Sequence, residues 1–186
     1  ARAPRGAGPA ARELQRLGWE EKATDSHFDK LLRPTIIALN ASADEELTVK
    51  ECLDRFGKMK KVEDLPADLR GVIYSTAARN GDAKTFDRLL ALHNESTSSE
   101  ERTTLASALT GFKQAALIEK ALGLVTTDAI RRQDAMYWIA YSFGNHHAKQ
   151  LAWEWLVKNW QWLNKELGSD LSFYRTPIYA GRSFSS

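Results

Sequence analysis

A helix, a tight turn carrying asparagine and glycine, and a second helix are written twice into this chain, and that echo restricts the fold more than any single motif. Shifting by 65 residues lays Tyr74 on Ile139, Asn80 on Asn145, Ala83 on Ala148, Lys84 on Lys149, Phe86 on Leu151 and Leu90 on Trp155. Between the copies, Leu105–Leu122, broken at Gly111, makes a third hairpin half a period along. Elsewhere apolar residues recur at helical spacing, as in Leu47, Cys52 and Phe56 or Leu69, Ile73, Ala77 and Ala78, and almost nothing alternates with the period of two that a strand needs. Breakers stand where such helices should stop: Gly57, Asp64 with Pro66, Asn80-Gly81, Ser96–Ser99, Gly111, Gly123, Gly144-Asn145 and Gly168. A helix pair cannot bury its apolar face alone, so the pattern predicts an all-α chain, an α-solenoid of antiparallel helix pairs stacked on one another.

Such a stack is an armadillo/HEAT-like superhelix; an irregular helical bundle is the alternative. Several helix starts carry their own signature. Asp64, two residues before Pro66, offers an acceptor to free N–H groups at a helix start. Ser98 and Glu101 have capping-box spacing, and Asp128 precedes Ala129-Ile130 as another N-cap. Pro34 lies inside a helical run, so Ser26–Ala41 is expected to kink or split there. Residues 1–11 hold Arg, Pro, Gly and Ala with no apolar signal core, and read as a disordered lead-in or a cloning remnant ahead of a single α-helical domain over 12–186.

The charge balance excludes several function classes. Twenty-six basic and 24 acidic side chains, interspersed, leave a net charge of +2 and no footprint for nucleic acid or an anionic membrane surface. No window approaches the apolar length of a membrane span. The lone Cys52 has no internal disulfide partner and sits in a helical segment as a buried thiol, so the fold does not depend on an oxidising compartment; the location stays unknown, with the cytoplasm favoured.

The stretch Ile130–Trp160 brings a family into view. Ile130-Arg131-Arg132-Gln133-Asp134, then the Gly144-Asn145 break, then Leu151-Ala152-Trp153-Glu154-Trp155-Leu156-Val157-Lys158-Asn159-Trp160 resembles the C-terminal helical domain of the aminopeptidase N class of zinc aminopeptidases, to which puromycin-sensitive and endoplasmic reticulum aminopeptidases belong. The resemblance extends through Asp68–Tyr74, Ala78–Gly81, Glu100–Arg102 and Ala106–Leu109, and back to Leu17-Gly18-Trp19 and Leu31-Leu32-Arg33, about residues 14–186. It implies a non-catalytic domain that encloses the peptide chamber of a zinc aminopeptidase and contributes to substrate access and length selection. Its partners would be the catalytic domain of the same polypeptide and peptide substrates, with the zinc held in that catalytic domain. By the same resemblance the chain reads as clipped before its last helix. The competing class is a stand-alone α-solenoid module that binds a partner protein.

This chain lacks the machinery that the resemblance assigns to the parent. H-E-x-x-H and G-x-M-E-N are absent, and no G-x-S-x-G or Walker loop replaces them, so no catalytic or metal residue is assigned here. His146 and His147 are adjacent and on a helix would diverge by about 100°. Trp153 with Trp160, and Trp155 with Trp162, fall seven apart on two sides of one expected helix, which predicts core packing. Arg131, Arg132, Asn145, His146 and His147 are the candidate substrate contacts, reaching the carboxylate end of longer peptides, with Gln133 and Asp134 bracing the turns and Asp128–Arg132 a possible pair.

Overall fold

The computed structural model describes residues 8–168 together with Ile178 and Gly181. Among the described residues there are ten α-helices and no strand: α1 Pro9–Leu17, α2 His27–Ser42, α3 Glu46–Lys58, α4 Ala67–Asn80, α5 Ala83–Glu95, α6 Ser99–Leu109, α7 Ala115–Leu124, α8 Ala135–Gly144, α9 Lys149–Lys158 and α10 Trp160–Leu167. Short 3-10 turns occupy Val62–Asp64 and Arg132–Asp134. The all-α expectation holds, and both copies of the helix–turn–helix echo are present as α4/α5 and α8/α9, with α6/α7 as the hairpin between. The chain packs as two compact units, Ala1–Thr76 and Ala77–Ser186, with the boundary inside α4.

In the first unit α2 packs on α1 and α3. Leu17, Ile37, Cys52, Phe56, Leu69, Ile73 and Tyr74 are its buried residues, and the Phe56 ring meets Tyr74 edge-on at 6.3 Å. The polar centre is Arg33, a buried guanidinium on α2. It donates through Nε to the Gly18 carbonyl at 3.2 Å and through Nη2 to the Leu17 carbonyl at 3.4 Å, and it pairs with the Asp25 carboxylate. Those carbonyls close α1, whose last-turn acceptors have no intrahelical donor, and Gly18 takes φ 71°, the left-handed turn that suits glycine. Ser26 and Asp29 form a full capping box at the start of α2. The Ser26 hydroxyl, then Arg16, hold the Asp29 carboxyl down at about 2.

In the second unit α6 packs on α5 and α8, α9 on α7 and α8, and α10 on α9. Phe86, Leu89, Leu105, Leu109, Phe112, Ile118, Leu122, Trp138, Ile139, Leu156 and Leu163 fill the interior, with Phe86 and Phe112 5.3 Å apart. His93 on α5 is buried edge-on against Trp138 of α8, ring centres 5.5 Å apart.

Several expectations give way to local chemistry. The helix is not split at Pro34: α2 runs from His27 to Ser42 as one element. Asp64 does not cap α4; its carboxylate turns back to accept from Lys60 N at 2.8 Å and Lys61 N at 3.1 Å, closing the 3-10 turn. Asp128 starts no helix, because residues 126–130 stay in turns and the next α-helix begins only at Ala135. Residues 9–11 belong to α1, not to a lead-in, while the lead-in before residue 8 and the end near Ser186 lie outside the described residues. Ser98 does accept from Glu101 N, at 3.3 Å.

The tryptophan expectation also fails. Trp153 is 41% exposed and Trp160 42% exposed. The helix ends at Lys158 and restarts at Trp160, with Asn159 Nδ2 donating to the Trp155 carbonyl at 2.8 Å. Ala152, Leu156, Leu163 and Leu167 take the inner face, leaving those two indoles at its side. The fully buried tryptophan is Trp138, which the sequence reading passed over.

Trp138→Ala should therefore destabilise the fold by about 3–5 kcal/mol, through lost transfer energy plus a residual cavity, with Trp153→Ala and Trp160→Ala each costing less than about half of that in urea unfolding. A second expectation concerns acid. Burial pushes the His93 imidazole below the ordinary histidine range; Asn94 opposes this, Arg102 adds to it, Asp134 opposes it and Arg131 adds to it. A depressed histidine contributes stability above the unfolded value of about 6.5, lost as pH falls through the folded value, because the unfolded chain takes up the proton first. Unfolding curves taken from about pH 7 down to pH 5 should show that loss in the native sequence, and His93→Phe should flatten it.

Candidate functional site at the Gly144–His147 turn

Helix α8 ends at Gly144, and the chain turns through Asn145–Ala148 before α9. Asn145 sets the shape of this turn. Its Nδ2 donates to the Phe112 carbonyl at 2.7 Å and the Thr110 carbonyl at 2.9 Å, and its Oδ1 accepts from His147 N at 3.0 Å. Both amide hydrogens are thus committed to the α6–α7 turn, so Asn145 is a positioning residue that clamps two turns together. Gln114, just before α7, repeats the device: its Nε2 donates to the Gly81 carbonyl at 2.8 Å, tying the α6–α7 turn to the α4–α5 turn. Gln114 belongs to no motif that marks it as a clamp. The signal was its place 33 residues after Gly81, the separation that also divides Phe112 from Asn145.

Between the clamped turns lies an open pocket of about 450 Å³. Arg79, Lys113, Tyr141, Asn145, His146 and His147 line it, and no carboxylate is among its lining residues. The two imidazoles do not diverge as they would on a helix; at the turn their rings sit 3.8 Å apart. Local desolvation, then His146 and Lys113, push His147 below the ordinary histidine range, so it is mainly neutral near pH 7. Burial, then Tyr137, raise the Tyr141 phenol, which keeps its proton and can donate. The pocket therefore offers hydrogen-bond donors and positive charge from three turns and helix ends, an arrangement suited to an anionic group.

The other candidates lie elsewhere. Arg131 is bound to Asp134, Nε to Oδ2 at 2.6 Å, and the ion pair of Arg132 is with Glu166 and not with the expected Asp128. Arg132 pairs with Glu166 at 3.2 Å and lies 4.8 Å over the Trp162 ring. Neither arginine lines the pocket. Of the two bracing candidates, Gln133 is exposed on the 3-10 turn and Asp134 is paired with Arg131. The residues expected to start a helix instead form a loop and a 3-10 turn, which re-aims both arginines.

Among the described residues no three His, Cys, Asp or Glu side chains are grouped to hold a metal ion, and His146 with His147 make only a pair. The donor set fits an anion-binding surface better than a metal centre.

Comparison with known proteins adds the context that geometry cannot. The profile of a family described as ERAP1-like C-terminal domain matches residues 9–186. The chain is similar to Aminopeptidase N of Lactobacillus helveticus, 29% identical over 164 residues that make up 87% of this chain and 19% of that protein. It is similar to Aminopeptidase M1 of Arabidopsis thaliana, 28% identical over 83% of this chain and 18% of the relative, and to Aminopeptidase M1-D of Oryza sativa subsp. japonica, 30% identical over 81% and 18%. The chain thus spans about a fifth of the length of these relatives.

If Asn145 clamps the turns, Asn145→Ala should cost about 1–3 kcal/mol, the cost of leaving partly buried carbonyls without donors. Asn145→Asp should cost at least as much, since it sets a negative charge against two carbonyl oxygens. A variant as stable as the parent chain in urea would mean that the turns hold without the amide.

Proposed function

The chain belongs to the ERAP1-like C-terminal domain family, and from that premise we propose that it is the non-catalytic C-terminal domain of a zinc aminopeptidase, enclosing the peptide chamber and contributing to substrate access and length selection. The observation that carries this reading is the family match over residues 9–186, shared with aminopeptidases five times longer. Zinc, held by the catalytic part of the parent polypeptide, would supply the hydrolysis. This chain's residues would act on the far end of the substrate.

The pocket at the Gly144–His147 turn supports a specific role in length selection. A peptide bound by its amino terminus near the zinc presents its carboxylate at a distance set by its length. Lys113, with Tyr141 as a neutral donor, would receive that carboxylate by charge-assisted hydrogen bonds, while Asn145 holds the surrounding turns in place. Arg131 and Arg132, the cations first expected to do this, are engaged with Asp134 and Glu166. His147 adds positive charge to the pocket only once the pH falls below its depressed value.

In the full-length enzyme carrying this domain, Lys113→Ala should raise KM for long peptides by about tenfold, the size expected for one charge-assisted hydrogen bond, and spare a chromogenic aminoacyl substrate too short to reach the pocket. Arg132→Ala should leave both substrates unchanged. Equal kinetics for Lys113→Ala on long and short substrates would rule the pocket out as the carboxylate contact, and a parent polypeptide without H-E-x-x-H would overturn the aminopeptidase reading itself.

A further inference from the structure

The pocket at the Gly144–His147 turn holds more cationic capacity than one carboxylate uses. Lys113 from the α6–α7 turn, Arg79 from α4 and the imidazoles of His146 and His147 line it, Tyr141 of α8 adds a phenol, and no lining residue is acidic. Other cations of this unit have acids beside them, as Arg131 has Asp134, Arg132 has Glu166 and Lys120 has Asp87. Room matches charge. A carboxylate has only three heavy atoms and a water in the liquid takes about 30 Å³, so a pocket of about 450 Å³ admits more than one acidic group.

The two imidazoles stand as a second receiver near Lys113. Their rings lie 3.8 Å apart, and the turn that carries them is held through backbone, His147 N donating to Asn145 Oδ1 at 3.0 Å. The ring nitrogens thus stay outside the turn's own hydrogen bonding. A neutral imidazole donates from one nitrogen, and a neighbouring anion favours its charged form. Local desolvation, then His146 and Lys113, hold His147 below the ordinary histidine range, and a carboxylate seated among them offsets the two charge effects.

We propose that the pocket selects long peptides whose last residue is aspartate or glutamate, Lys113 receiving the terminal carboxylate and the His146–His147 pair the carboxylate of the last side chain. The inference rests on the reading that this pocket meets the carboxyl end of a peptide. A basic last residue would bring a further cation to Lys113 and Arg79 with no lining acid to offset it. A neutral polar residue would leave the imidazoles without an opposing charge. Because the pocket is open to solvent, the selection is modest, about three- to fivefold, the worth of an exposed charge pair.

The test uses the full-length enzyme and long peptides identical except for a last residue of Glu, Gln, Leu or Lys. KM should be lowest for the Glu-ended peptide, about three- to fivefold below the Gln-ended one, and highest for the Lys-ended one. The Gln-to-Glu ratio of KM values should widen as pH falls from about 7.5 to about 6, where the histidines gain charge while a glutamate side chain, with its ordinary value of about 4.3, stays ionised. The groups that share the pocket with them are Arg79, Lys113 and the protonated Tyr141 phenol, with Lys149 following at the start of α9. His146→Gln combined with His147→Gln should raise KM for the Glu-ended peptide to that of the Gln-ended one and remove the pH dependence of the ratio; both residues are exposed, so the fold is retained. Equal KM values for the Glu- and Gln-ended peptides at both pH values, or a lower KM for the Leu-ended peptide than for the Glu-ended one, would overturn the selection. So would a Glu preference that survives in the double histidine variant. Lys113→Ala separates the two readings: a raised KM for every long peptide without a Glu preference in the unsubstituted enzyme sinks this inference alone, whereas no change on any long peptide takes the pocket out of the substrate's path and sinks both.

Discussion

Two turns in the second unit, between α4 and α5 and between α6 and α7, are held by a side-chain amide from further along the chain, and they frame the pocket. The last carbonyls of a helix have no donor within that helix. Gln114 supplies one to Gly81, and Asn145 supplies two, to Thr110 and Phe112. These bonds set the register of successive helix pairs in a way that interdigitated leucines alone do not, since apolar contacts are non-directional. The Gly81 site is correspondingly tight: a Cβ there would sit 2.6 Å from the Ala77 carbonyl oxygen. Glycine at this turn is required by close approach.

The first unit solves the same problem with charge. Arg33 closes the carbonyl end of α1 and is itself neutralised by Asp25, so a buried guanidinium is tolerable because its donors are used. This places Arg33 and Asn40 of α2 on its packed side. In the second unit the Arg131–Asp134 pair does related work at the entrance to α8, where a 3-10 turn replaces the first turn of an α-helix.

Under the proposed function, this domain would contribute geometry and electrostatics. Its pocket gathers an arginine from α4, a lysine from the α6–α7 turn, a phenol from α8 and two imidazoles from the turn after it, with no carboxylate lining it. Such a surface can recognise and orient a negative group without performing chemistry on it. In an enzyme whose reaction takes place elsewhere in the polypeptide, that is enough to make the distance between two ends of a substrate matter.

Periodicity and breakers determined the helices from the sequence alone. The stops near Asn80-Gly81, Ser96–Ser99, Gly111, Gly123, Gly144-Asn145 and Gly168 coincide with helix ends, because a helix end is a local event set by capping groups and glycine. The family resemblance was legible for a related reason, since it rests on the order of short pieces along the chain. Which side of a helix faces the interior was not local. Trp153 and Trp160 share a helical face on paper, yet Asn159 interrupts the helix and Ala152, Leu156, Leu163 and Leu167 take the core. Arg131 and Arg132 read in the sequence as candidate substrate contacts. The tertiary structure gave them to Asp134 and Glu166, and it assembled the pocket from Arg79, Lys113, Tyr141 and the Asn145–His147 turn. Those residues are separated by tens of positions and brought together by the packing of α6 on α5 and α8 and by the amide clamps between turns. A one-dimensional pattern carries the period of an element, but the partner of a side chain is decided by which other elements reach it in three dimensions.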